Sequence, residues 1–426
     1  MAEDTGFGRL PRGAKILWER VGLSRTLSLG FFFATGSRFD PPEKAGTAHL
    51  VEHLVFKGTK NYTAAALARL VDRVGGDLNA WTDREEMAFT CTVPAEAWPV
   101  AVEALTELCL FPTFPHEEFD REKEVVRNEI LATLEDPEEL SSDCFLQTLS
   151  PGDWSRPVAG SEDTLSRLTW DEAKDWWNTY GDPRWLTVAA SGGVEPQLIE
   201  RAISERLAAS EKDGSLHALG QSPLEPPHFR PVLRRWIQKA DFQMVQVIGG
   251  FDFPAPQTAR QAAIWQIFSM LWGETMSSRL FQTVREKRGL CYNISSQIYD
   301  AEGTWGLQFF ASCAPGNTQL LLRALEEEVN RLAADPPSSV EWDDAQSALR
   351  GSVVLSSEKT ENRIGRLWRQ YESFGILLGF EETNLLSEPV TEDERRTVLS
   401  TLATRQPSLL VWGKVPRRLV LPSGQP

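Results

Sequence analysis

Two histidines and a glutamate stand close together in Gly46–Thr59, GTAHLVEHLVFKGT. On an α-helix His49 and His53 lie one turn apart, and Glu52 lies about 60° to the other side of His49, so all three project from one face. Neutral imidazoles at i and i+4 bring two nitrogens to one metal ion, and a carboxylate beside them can take a proton from a water whose pKa the ion has lowered. The alternative is an amphipathic helix that happens to carry both histidines. With only five His in 426 residues, the spacing weighs against that. A third ligand decides between the two.

The H-x-x-E-H order inverts the H-E-x-x-H order of zinc-dependent proteases, which makes zinc hydrolysis the chemistry to test. A third ligand is sought on the helix expected over His116–Glu135. Taking Glu122 as zero, Glu129 falls at about −20°, with Val125 and Val126 at about −60° and +40°. Glu124 and Glu135 turn to the far side with Arg127 and Asn128. Two carboxylates are thus expected within an apolar stripe, where an unpaired charge is costly. Arginines across a helix interface are one remedy. A metal is the other: Glu129 as third ligand gives His₂Glu with the fourth tetrahedral position open for water, and Glu122, two turns away, orients a ligand.

The elements that must position these residues follow from pattern. Strands are expected at Lys15–Val21 and Arg25–Ala34, helices at the histidine motif up to Lys57 and at Ala64–Val74, one strand over Asp77–Val93, and a helix to Leu110. Helices around Leu140–Thr148 and Trp170–Tyr180, a strand Trp185–Ser191 and a helix Pro196–Leu207 complete the first half. Gly, Ser, Pro and charge dominate Ala208–Pro231, so it reads as a linker. The second half repeats the plan, with strands at Leu233–Lys239 and Gln243–Phe251. A helix Gln257–Trp272 stands in the place of the histidine helix but lacks its ligands, and Ser278–Arg288, Tyr292–Tyr299, Thr318–Ala333, Val340–Ser357 and Ser408–Trp412 follow. The expected architecture is α+β: two similar α/β-sandwich domains, 1–207 and 232–426, facing each other across a cavity, with 208–231 between them.

Composition narrows the class. Hydrophobic residues at 41% and charged residues at 24% describe a globular chain. The N-terminal stretch has no apolar core of signal-peptide length and no later run approaches a membrane span, so a cytoplasmic location and no membrane association are expected. Cys91, Cys109, Cys144, Cys291 and Cys313 show no C-x-x-C spacing and are expected as small buried residues. The formal charge of −16 argues against nucleic acid and favours cationic partners.

Beyond the motif, the chain resembles the pitrilysin or insulinase family, in the branch of mitochondrial processing peptidase and its single-chain bacterial relatives. The resemblance rests on GTAHLVEHLVFKGT, on GGDLNAWTDRE after Val74, on REKEVVRNEI at Arg121–Ile130 and on MSSRLFQTVREKRGLCY at Met276–Tyr292, in matching order over nearly the whole chain. It implies His49, His53 and Glu129 as ligands of one zinc per chain, Glu52 as general base and Glu122 as supporting carboxylate. Glu129 follows His53 by 76 residues, close to the family spacing. It further implies that Arg285 and Tyr292 hold the substrate backbone and stabilise the oxyanion. Without it Arg285 is an exposed helix charge and Tyr292 an ordinary strand aromatic. Asn79 and Ala80 mark the edge strand on which relatives bind substrate as an added strand. One departure is Trp272-Gly273-Glu274-Thr275, where relatives usually carry a run of glycines, which bears on the cavity wall.

The resulting expectation is a zinc metalloendopeptidase acting on unstructured peptides, basic ones favoured, in a closable chamber. By resemblance it forms a homodimer, with a heterodimer with a related chain as the alternative. The rival is a non-catalytic structural or partner subunit. Relatives of that kind lose either the zinc ligands or the Arg and Tyr, and this chain keeps both sets.

Overall fold

The protein is described by a computed structural model at residues 4–149, 152–210, 234–239, 241–301, 304–378 and 385–421. Its strands are β1 Asp4–Arg9, β2 Lys15–Arg20, β3 Thr26–Phe33, β4 Asp77–Thr82, β5 Met87–Pro94, β6 Leu186–Gly192, β7 Arg234–Gln238, β8 Val245–Pro254, β9 Asn293–Ala301, β10 Thr304–Cys313 and β11 Ser408–Gly413. The helices of the first half are α1 Thr47–Val55, α2 Ala64–Asp72, α3 Trp98–Leu110, α4 His116–Glu135, α5 Pro137–Leu149, α6 Glu162–Arg167, α7 Trp170–Tyr180 and α8 Pro196–Ala209. Those of the second are α9 Ala259–Ser269, α10 Thr318–Ala334, α11 Ser339–Ser357, α12 Thr360–Phe374 and α13 Glu392–Ala403.

Two compact units divide these elements. The first takes the described residues within Met1–Ala132, Arg156–Leu224 and Ser356–Glu382, and the second takes the remainder. The first unit holds a six-stranded sheet ordered β1-β2-β6-β3-β5-β4, in which β2 and β6 are parallel and the other neighbours antiparallel. Its central strands are buried throughout because both faces are covered. Ile16, Phe31, Phe89 and Val188 turn to one face and pack with α1, α3 and α8. Leu17, Phe32, Ala88 and Ala189 turn to the other, where Ile364, Leu367 and Trp368 of α12 cover them. Phe32 stacks on Trp368 at 5.3 Å, and the buried Glu19 pairs with Arg363 at 3.2 Å and Arg366 at 2.6 Å. Removing one partner from such a buried ion pair costs about 3–5 kcal/mol, so α12 is firmly held.

The second unit repeats the sheet as β7-β11-β8-β10-β9, with β7 and β11 parallel. Its second face is closed by Phe145 and Leu149 of α5 against Ile248, Leu410 and Trp412. The molecule is therefore α+β with two similar domains, as the repeat implies. The units differ from contiguous halves at two segments: α5 packs with the second sheet and α12 with the first. A sheet apolar on both faces needs two covers, and each unit takes one of them from a distant stretch of chain.

Other differences are local. The single strand expected over Asp77–Val93 is a hairpin, β4 and β5, turned at Asp83–Glu86, where the Asp83 amide donates to Glu86 O at 2.8 Å. Strands β1 and β10 were not expected; both contain glycines that break the alternating pattern. Of the expected linker, 211–231 lies outside the described residues. Trp272, in the departure from the family pattern, is fully buried and packs on Phe251, Phe268 and Phe309, so it serves the core of the second unit. Among the described residues no disulfide joins any of the five cysteines, Cys144 is half-buried and the others buried, and no helix is long and apolar enough to cross a membrane.

Candidate metal centre

Helix α1 is anchored before it does anything else. Leu50, Val51, Leu54 and Val55 are fully buried in the first core and fix its rotation. Its start is set by Gly46 at φ 96°, where a Cβ would lie 2.5 Å from Ala159 O, so only glycine fits. The buried Asp40 caps that end, accepting from the amides of Gly46 at 2.9 Å and Ala48 at 3.1 Å. Burial pushes the Asp40 carboxyl up to about 7, opposed by those amides and by Arg156.

The opposite face carries His49, Glu52 and His53. The two imidazole centroids are 4.9 Å apart. Glu129 Oε2 on α4 lies 3.6 Å from His49 Nε2 and 3.4 Å from His53 Nε2, and one donor atom from each residue falls within 4.8 Å of the others. Zinc bonds of about 2.0–2.1 Å in a tetrahedron put donor atoms roughly 3.3 Å apart, so these two nitrogens and one oxygen fit such an ion. Burial, and then the neighbouring His53, holds the His49 imidazole down at about 4, which keeps it in the neutral form a metal needs.

The outer ring of contacts is equally specific. Glu122 is buried; its Oε2 lies 3.3 Å from His53 Nδ1 and its Oε1 2.8 Å from Lys57 Nζ. Glu52 Oε2 accepts from Thr82 Oγ1 at 2.5 Å. Burial raises the Glu52 pKa, Thr82 and His53 pull it back, and Glu129 adds to the rise. The expected stripe on α4 needs correction. Its buried line is Phe119, Glu122, Val126 and Ile130, while Val125 is exposed and Glu129 is 47% exposed on the rim. Successive residues turn by about 100°, so Val125 cannot share the buried line with Val126. Among the described residues the partners of Glu122 and Glu129 are a lysine and the two histidines rather than arginines.

Sequence reasoning missed three residues that position this site: Asp40, Lys57 and Thr82. Lys57 had a signal, since it follows His53 by one helical turn. Thr82 and Asp40 had none, because their contacts depend on tertiary structure.

Asn79 and Ala80 lie on β4, the edge of the first sheet, paired to β5 only among the described strands. The Ala80 amide donates to Asn79 Oδ1 at 2.9 Å. Arg285 and Tyr292 belong to the second unit. Arg285 sits in the helical turn Phe281–Lys287, with its guanidinium 4.5 Å from the Phe281 ring centroid and 5.9 Å from that of Tyr292. The Tyr292 amide donates to Ser312 O at 2.9 Å, and its side chain is exposed. The two are thus brought to each other.

Comparison with known proteins bears on the same residues. Residues 16–152 match the insulinase domain of peptidase family M16, and 167–349 match the domain described as the M16 inactive domain. A protein named an uncharacterized zinc protease in Streptomyces coelicolor is 31% identical over 95% of this chain and 88% of its own length. One of that name in Mycobacterium tuberculosis is 30% identical over 95% and 92%, and another in Bacillus subtilis 28% over 89% and 90%. Among solved structures, a protease from Helicobacter pylori superimposes with a TM-score of 0.85 at 19% identity, covering 96% of this chain and 100% of that one. A peptidase M16 inactive domain from Pseudomonas fluorescens gives 0.82 at 18%, covering 98% and 100%. With its motif-bearing helix, its repeated sheets and relatives matched along nearly their full length, the chain belongs to the insulinase family of peptidases, family M16.

Proposed function

We propose that the chain is a zinc-dependent endopeptidase acting on extended, unstructured peptides. The observation that carries this reading is the convergence of His49 Nε2, His53 Nε2 and Glu129 Oε2 beside a carboxylate, Glu52, held by Thr82. A zinc ion bound there would act as a Lewis acid on the scissile carbonyl and acidify a water. Glu52 takes the proton of the attacking water and returns it to the leaving amine; its burial keeps it basic enough for that role. Glu122, itself paired with Lys57, holds the His53 ring through Nδ1 and leaves Nε2 beside Glu129, where the two would hold the ion together with His49.

Binding falls to other elements. The open edge of β4 at Asn79 and Ala80 suits an extended backbone added as a further strand. Arg285 and Tyr292 are assigned to the same substrate, Arg285 holding its backbone and the Tyr292 hydroxyl stabilising the oxyanion. In this reading the two domains close a chamber around the peptide, and the −16 charge favours basic peptides. A homodimer is the proposed assembly.

The test is metal content measured beside cleavage of a peptide library by purified protein. About one zinc per chain and cleavage of unstructured peptides are expected, with both lost in His49→Ala and zinc weakened in Glu129→Gln. Unchanged zinc and activity in Glu129→Gln would remove the third ligand. Stoichiometric zinc without cleavage of any peptide would instead favour a non-catalytic partner subunit.

A further inference from the structure

The two sheets share a register that lets single residues be compared. Four residues before Gly192 and Gly413, which end β6 and β11, lie Val188 and Leu409. Across β2, β6, β3 and β5 the paired row is Ile16, Val188, Phe31 and Phe89. Across β7, β11, β8 and β10 it is Arg234, Leu409, Gly249 and Phe309. The first row is four fully buried apolar side chains. In the second, a glycine stands where the first has a central phenylalanine, and an arginine stands where it has an isoleucine.

The consequence is space with a charge in it. Phe309 leans over Gly249, where a Cβ would come within 2.1 Å of its Cζ. Beyond the ring a cavity of about 420 Å³ remains, walled by Phe309 and Leu409 from the sheet, Leu325 and Val329 from α10, and Leu402 from α13. That size lies within the roughly 300–1,000 Å³ of small-molecule sites. Arg234 enters it from the edge strand. Its Nη2 donates to Gln406 Oε1 at 3.1 Å, while its Nε and Nη1 are buried and have no acceptor among the described residues. Arg405 also lines the cavity, against a single carboxylate there, Glu326. Buried donors without acceptors are costly, and a guanidinium in a wall that is polar at Glu326, Asn330, Arg405 and Gln406 and apolar at Phe309, Leu325 and Leu402 is met best by a small anion with an apolar body.

We propose that this cavity binds a small aliphatic carboxylate, its head accepting from Arg234 and its chain lying against Phe309, Leu325 and Leu402. Two guanidiniums, Arg234 and Arg405, set against one carboxylate, Glu326, leave one net positive charge in the lining, which suits a monoanion better than a doubly charged phosphate. The site lies wholly within the second unit and uses none of the residues assigned to peptide hydrolysis.

Calorimetric titration of the full chain with decanoate and with 1-decanol tests this. Saturable binding of one decanoate per chain is expected, with the alcohol roughly tenfold to a hundredfold weaker for want of the charge-assisted contact. Arg234→Leu should bring decanoate down to the level of the alcohol, and Arg234→Lys should recover part of the difference. Equal binding of acid and alcohol, or no saturable decanoate binding, overturns the proposal without any variant. So does decanoate affinity unchanged in Arg234→Leu, the result expected if the carboxylate sat on a metal instead.

Discussion

Helices α1 and α9 hold the same place in two units built on the same strand order, each following the central strand of its sheet, β3 in one and β8 in the other. They use that place differently. In α1 the residues Leu50, Val51, Leu54 and Val55 suffice to anchor the helix, which leaves one face for His49, Glu52 and His53. In α9 the buried set is Ala262, Ile264, Trp265, Ile267, Phe268 and Ser269, so the helix is packed nearly all round and runs on into the wider turn Met270–Glu274. Trp265 stacks on Phe253 at 3.8 Å, giving to the core the kind of position that α1 keeps for polar groups. A repeated scaffold thus carries a candidate site once, and chemistry has to be assigned from side chains rather than from the fold.

The comparison breaks most visibly at Glu52. Because it is assigned as base and not ligand, Glu52→Gln should keep its zinc and its melting temperature while turnover falls by about two or more orders of magnitude. Gln261→Ala, an exposed change on α9, should leave turnover as it is. Similar losses in both variants would mean that α1 is no more than another packing helix. Loss of zinc in Glu52→Gln would move that carboxylate into the ligand set.

A second test compares the sheet rows. Phe31 is enclosed by well-packed neighbours, so Phe31→Ala should destabilise the first unit by about 3–5 kcal/mol. Gly249→Ala adds a methyl whose nearest neighbours are atoms of the Phe309 ring, and that ring borders open space. Its cost should be smaller, about 1–3 kcal/mol. Denaturant unfolding of the two variants gives the ranking. The reverse order would show that the second row is as tightly filled as the first and that the cavity is closed in solution.

How much of this was legible beforehand depended on whether the information was local. The helix His116–Glu135 was read with its observed ends, and the strands β2, β3, β6 and β11 within a residue or two, because period and turn residues lie within one segment. His49, Glu52 and His53 announce themselves by spacing alone. Glu122 and Glu129 could be placed on one side of a helix, although which of them is buried could not, since that depends on what packs there. Strand β10 escaped notice because Gly306 interrupts its pattern, and α12 because its role is to cover a sheet formed hundreds of residues earlier. Asp40, Thr82 and Arg234 carry no local signature at all. Each matters only through a partner brought by the fold: the start of α1, the Glu52 carboxylate and an unfilled corner of the second sheet.

Thr82 offers the finest test of what the first unit adds to its scaffold. It ends the edge strand β4, and its hydroxyl donates to Glu52 Oε2, so one residue joins the strand proposed to bind substrate to the carboxylate proposed to activate water. Thr82→Val keeps the branched shape on which the strand depends and removes only the donor. If the hydroxyl orients Glu52, kcat should fall by roughly tenfold while KM hardly moves, the pattern of a contact that counts in the transition state. Thr82→Ser, which retains the donor on a smaller side chain, should recover most of that loss. A rise in KM with kcat unchanged would assign Thr82 to substrate pairing along the edge instead. Equal loss in the valine and serine variants would mean that the methyl, and hence the packing of β4, is what matters at this position.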